Sequence, residues 1–147
     1  MNKSKGFTII ELIVVIAIIA VLAAIVLVNV TGYISKGKDA AIKANLTSLV
    51  TNGATYYDQC GSNYLNVNCT AFGSVVFNAT AKVNVISNAI TAAGSSLVTT
   101  ENSSLFAACA NLQSDSTNAF CVDSGGAKET IAKTSCVESS LTGFACP

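Results

Sequence analysis

The chain has 147 residues, about the length of one domain, with eight lysines balanced against eight acids, six cysteines and no histidine. That balance offers no basic surface for nucleic acid, and without histidine the usual general base of catalysis is missing. The same lack, together with the absence of any Cys-x-x-Cys pair, argues against zinc, and nothing in the chain calls for a cofactor.

The first element is a short basic leader carrying Lys3 and Lys5 and ending at Gly6. It is followed by Phe7-Thr8-Ile9-Ile10-Glu11, and then by residues 12–28, in which no side chain is polar. A helix needs about 17 to 25 apolar residues to cross the hydrocarbon layer, so this run is long enough to span a bilayer. Glu11 is then a charge placed against lipid. A carboxylate at the centre of a membrane helix costs roughly 2.5 to 3.5 kcal/mol on insertion scales, which makes it a candidate functional residue. A secretory signal peptide would have a similar basic start and apolar core, with cleavage between Ala23 and Ala24. It has no use for a carboxylate at residue 11, however, and a passive membrane anchor leaves that residue equally unexplained. The lysines before the span place the leader in the cytoplasm and the remainder outside.

The string Lys5-Gly6-Phe7-Thr8-Ile9-Ile10-Glu11-Leu12 resembles the processing and assembly motif of type IV pilins and their pseudopilin relatives. The resemblance covers about the first thirty residues. It implies that a prepilin peptidase cuts between Gly6 and Phe7 and methylates the new amino terminus on Phe7. It also implies that the Phe7 ammonium and Glu11 carboxylate pair between adjacent subunits during assembly. Family members often have a proline within the apolar half of the helix, whereas the only proline here is Pro147.

Residues 29–58 contain no proline, and their apolar side chains recur at helical spacing: Tyr33, Ala40, Ala41, Ala44, Leu46, Leu49, Val50, Ala54 and Tyr57. They predict an amphipathic continuation of the same helix, on the order of 80 Å long at 1.5 Å per residue. Gly32 and Gly37 are the expected places for a bend or local melting, since each weakens a helix by about 1 kcal/mol relative to alanine.

Beyond the helix the composition shifts to Asn, Ser, Thr, Gly and Ala, and all six cysteines fall there: Cys60, Cys69, Cys109, Cys121, Cys136 and Cys146. An even set confined to the part outside the membrane reads as disulfides. Fifteen pairings are open. Closeness along the chain favours Cys60 with Cys69, then Cys109 with Cys121 and Cys136 with Cys146. Residues 75–77 suggest a short strand, and 81–93 a helix closed by Gly94. Residues 106–112, 119–123 and 128–133 read as an antiparallel meander with turns at 113–118 and 124–126. Asp39, Asp58, Glu101, Asp115, Asp123, Glu129 and Glu138 form no tight pair and read as solvated surface, with a turn-stabilising role for Asp123 as the exception. Asn68-Cys-Thr70 and Asn78-Ala-Thr80 match the glycan-acceptor pattern, as so polar a domain does by chance.

The expected fold is therefore α+β, a long N-terminal helix packed against a small antiparallel, disulfide-bearing sheet. The segments are a leader at 1–6, a membrane-spanning or filament-core helix at 7–30, an amphipathic helix at 31–59 and a globular β-domain at 60–147. The resemblance implies a pilus subunit that is no enzyme. Its partners would be the cytoplasmic membrane, the prepilin peptidase, a pilus assembly platform with its ATPase, and identical or related subunits at the cell surface. Two alternatives remain open: a pseudopilin of a type II secretion or DNA-uptake system, and a monomeric secreted or anchored protein with a signal peptide.

Overall fold

The computed structural model describes residues 6–65, 83–137, 140–141 and 143–146. The element order is α1 (Ile9–Gln59), α2 (Val83–Ala92), β1 (Leu97–Glu101), β2 (Phe106–Asn111), β3 (Asn118–Asp123) and β4 (Lys128–Ala132), closed by a 3-10 turn at Lys133–Ser135. The chain divides into two compact units, Met1–Ile34 and Ser35–Pro147. The class is α+β.

In the first unit, α1 presents apolar side chains all round. Every described side chain from Gly6 to Leu27 is exposed, so the segment has no apolar partner of its own. The helix is long and apolar enough to cross a membrane. It also runs as helix through Gly32 and Gly37, so the local melting expected as one outcome at these glycines does not occur.

In the second unit, α1 buries a narrow stripe made of Asp39, Ile42, Leu46, Leu49, Gly53, Tyr56 and Cys60. Their spacing alternates between three and four residues, as a helix packed along one face requires. The sequence reading placed this stripe partly wrongly. Ala40, Ala41, Ala44 and Ala54 are exposed, while Ile42 and Tyr56 are fully buried. Alanine is small enough to be tolerated on either face, so it says little about which face is buried.

The stripe packs on a four-stranded antiparallel meander in the order β1-β2-β3-β4. Alternation along the strands gives the sheet two faces. Phe106, Ala108, Ala110 and Val122 join the helix residues in one core cluster. Ala107, Cys109, Ala119, Cys121 and Ile131 join Cys136 and Leu141 of the C-terminal segment in a second. Buried on both sides, β2 is built largely of alanine and cysteine, whose short side chains let two layers approach one thin strand. Gly53 is part of this close packing, because a Cβ there would lie 2.8 Å from Cε1 of Phe106.

Both expected pairings among the last four cysteines are overturned. The bonds are Cys109–Cys136 and Cys121–Cys146. Cys109 and Cys121 are in register across β2 and β3, so both point to the face away from α1. There each meets the C-terminal segment rather than its neighbour. Cys60 is also disulfide-bonded, but its expected partner Cys69 lies outside the described residues, as do the suggested strand at 75–77 and the acceptor triplets at Asn68 and Asn78.

Helix α2 ends as expected at Gly94, which takes a φ of +90°. Ser95 N–H donates to Ile90 O and Gly94 N–H to Thr91 O, which is the Schellman arrangement. The three predicted strands are present as β2, β3 and β4, but β1 was not foreseen. Asp39, read as solvated surface, is buried, and so is Asp123, which takes the turn-stabilising role expected of it. Asp39 on α1 accepts the Gln113 and Ser114 N–H groups and the Ser114 hydroxyl, which fixes the β2–β3 turn to the helix. Asp123 holds the β3–β4 turn through Ala127 N–H at 3.0 Å and the C-terminal segment through Cys146 N–H at 3.1 Å.

Candidate functional site

The residues singled out by the sequence lie together at the start of α1. Gly6 and Phe7 precede the helix and are exposed, Phe7 at 83%. A Cβ added at Gly6 would meet no atom within 4 Å. The peptide bond expected to be cleaved lies between two exposed residues, and among the described residues no contact requires glycine at residue 6.

Glu11 stands in the first turn of α1. Both the N–H and the hydroxyl of Thr8 donate to its Oε2, at 2.9 and 2.7 Å, and Glu11 N–H donates back to Thr8 Oγ1 at 3.3 Å. Thr8 O accepts Leu12 N–H at 3.3 Å. This is a capping box, in which a threonine N-cap and a glutamate three residues later satisfy each other's backbone N–H groups. The helix dipole favours a negative charge in the same turn. The sequence reading missed this role, although the signal was present in the Thr8-x-x-Glu11 spacing. The carboxylate caps the helix within one copy, and it is also the residue expected from the resemblance to serve assembly. The two are compatible: among the described residues these bonds use Oε2 alone, which leaves Oε1 available to a further donor.

Among the described residues no group of three His, Cys, Asp or Glu side chains is placed to hold a metal ion. In the second unit an open cleft of about 500 Å³ lies between Gly94, Ser95, Ser96, Asn111, Gln113, Ser116 and Lys133. Its lining contains no acid and no histidine.

The fold and the N-terminal geometry define a class: an apolar, capped helix leading into a small disulfide-bonded sheet. The prokaryotic N-terminal methylation motif matches residues 1–27, the signature of type IV pilins and pseudopilins. The match covers the N-terminal segment alone, which is thereby similar to the N-termini of those proteins. No curated protein and no solved structure matches the chain.

Proposed function

We propose that this chain is the structural subunit of a type IV pilus-like surface filament, and no enzyme. In this reading it is inserted in the cytoplasmic membrane with its C-terminal part outside, cleaved between Gly6 and Phe7, methylated on Phe7 and polymerised through α1. The observation that carries the reading is the state of that helix. Its apolar side chains are exposed from Ile9 at 77% to Leu27 at 71%, an area that water cannot accommodate.

Before assembly, lipid covers that surface. Once the subunit leaves the bilayer, only other apolar helices can do so, and head-to-tail contacts that do not close into a ring generate a filament. The ammonium freed at Phe7 and the carboxylate of Glu11 would both be carried into this dry core. Alone, each is costly there. Paired between neighbouring copies, they offset much of that cost. The disulfides support export, because such bonds persist in oxidising compartments.

Replacing Gly6 with leucine tests the processing step. Since residue 6 touches nothing in the fold, the variant should fold and insert normally yet keep its leader, remain in the membrane and be missing from sheared filaments. Normal filaments containing leader-bearing subunits would refute the reading.

A further inference from the structure

Resting on the filament reading, we propose that the Ser35–Pro147 unit docks end to end on a second copy of this chain, with Lys36, Lys38 and Lys133 of one copy facing Asp58 and Glu129 of the next. The charges of this unit sort by sign along its length. At one end, Asp39 holds the β2–β3 turn, and a Cβ on Gly94 would come within 3.8 Å of Lys38 Nζ. Lys133 is tied to the same turn through its N–H on Thr117 O, and Lys36 is half a helical turn before Lys38. Lys43 follows a turn later, its Nζ 5.5 Å from the centre of the Phe120 ring. The acids at this end are Asp39 and Asp115. Both spend oxygens on donors of the turn, Asp115 accepting the Thr117 N–H and hydroxyl and the Asn118 amide.

At the opposite end Gly53 packs on Phe106, whose strand partner is Glu101. Asp58 sits in the last turn of α1, and Asp123 and Glu129 flank the β3–β4 turn with Lys128. Every described charge of the unit belongs to one of these two groups. One has four lysines against two acids, and the other four acids against one lysine. Lys36, Lys38, Lys133, Asp58 and Glu129 are all exposed.

Lys36 and Asp58 are about 33 Å apart along the helix at 1.5 Å per residue, several times the Debye length of about 8 Å at physiological salt. Within one copy the two ends are therefore screened from each other and cannot neutralise one another. Units stacked end to end in one direction bring the lysine end of one copy onto the acid end of the next. End-to-end stacking with opposed directions would bring like charges together. The complementarity thus selects the parallel, repeating contact, and a second copy supplies both halves of it. Beside Lys133, the open cleft with Ser95, Asn111 and Gln113 on its wall surrounds an incoming carboxylate with hydroxyl and amide groups. Exposed charges of this kind act mainly on register and assembly rate, while the apolar helix provides the cohesion.

The test is a charge swap in the full-length chain, expressed in place of the native one. The Lys36→Glu/Lys38→Glu variant should insert and lose its leader normally while its yield of sheared filaments falls by about tenfold or more, because like charges now meet at every contact. The Lys36→Gln/Lys38→Gln variant, which adds no repulsion, should fall between it and the native chain. Adding Asp58→Lys/Glu129→Lys to the Glu variant should restore most of the yield. Native yield from the Glu variant, or no recovery in the swapped chain, would overturn the proposed contact and leave the filament reading standing. A native chain absent from filaments would overturn both.

Discussion

Glu11 caps its helix and is proposed to serve assembly, two roles that substitution can separate. Alanine removes both the cap and the charge, whereas glutamine retains a capping-box partner for Thr8 and removes only the charge. If the charge serves assembly, Glu11→Ala and Glu11→Gln should both be inserted and cleaved, and both should lose filaments. Breaking a buried pair typically costs about 3 to 5 kcal/mol. If only the cap matters, glutamine should assemble and alanine should not, and filament yield from the two variants decides. Thr8→Ala should cost about 1 kcal/mol through loss of the cap and leave assembly largely intact. Asp39 gives a second prediction. Burial pushes its carboxyl up, but the Ser114 hydroxyl, the Gln113 and Ser114 N–H groups and the Lys43 charge outweigh this and hold it below the usual range. A carboxyl lowered in the folded state stabilises the fold above its unfolded pKa, about 3.9, and loses that contribution as pH falls through the folded value. Thermal melting should therefore weaken below about pH 4 more steeply in the native protein than in Asp39→Asn. At neutral pH, Asp39→Ala should cost about 1 to 3 kcal/mol.

Among the elements, the thin sheet between α1 and the C-terminal segment sets the energetics. Gly53→Ala would push a methyl into the Phe106 ring, and overpacking of this kind costs typically about 1 to 3 kcal/mol, readable as a lower denaturation midpoint. Reducing Cys109–Cys136 and Cys121–Cys146 should release the C-terminal segment from the outer face of the sheet. Each bond contributes about 2 to 4 kcal/mol, so the melting temperature should drop while most of the helical circular dichroism remains. The helix, the last three strands and the Gly94 stop were legible because each rests on local signals: period, turn residues and a left-handed glycine. Strand β1, Leu97–Glu101, was not legible, since half-burial along its whole length leaves no alternating pattern. The disulfide pairing was hidden for another reason. Closeness in sequence favours neighbours, whereas Cys109 and Cys121 are directed by the pleat toward a segment 25 to 27 residues away. Asp39 was misread because no local pattern reveals that a turn more than seventy residues later will need a carboxylate.

For the whole molecule, the unpartnered helix and the stapled sheet divide the work between cohesion and surface. Among its described residues the first unit exposes its apolar side chains, whereas the second buries two clusters of its own on the two faces of one sheet. The same chain is therefore expected in two settings, as a membrane protein before assembly and as part of a polymer afterwards, with the second unit unchanged between them. Intact-mass analysis of filaments sheared from the cell surface tests this most directly. The account predicts that the main component is this chain beginning at N-methylated Phe7, with every cysteine oxidised. A chain beginning at Ala24, or filaments in which this chain is absent, would contradict it.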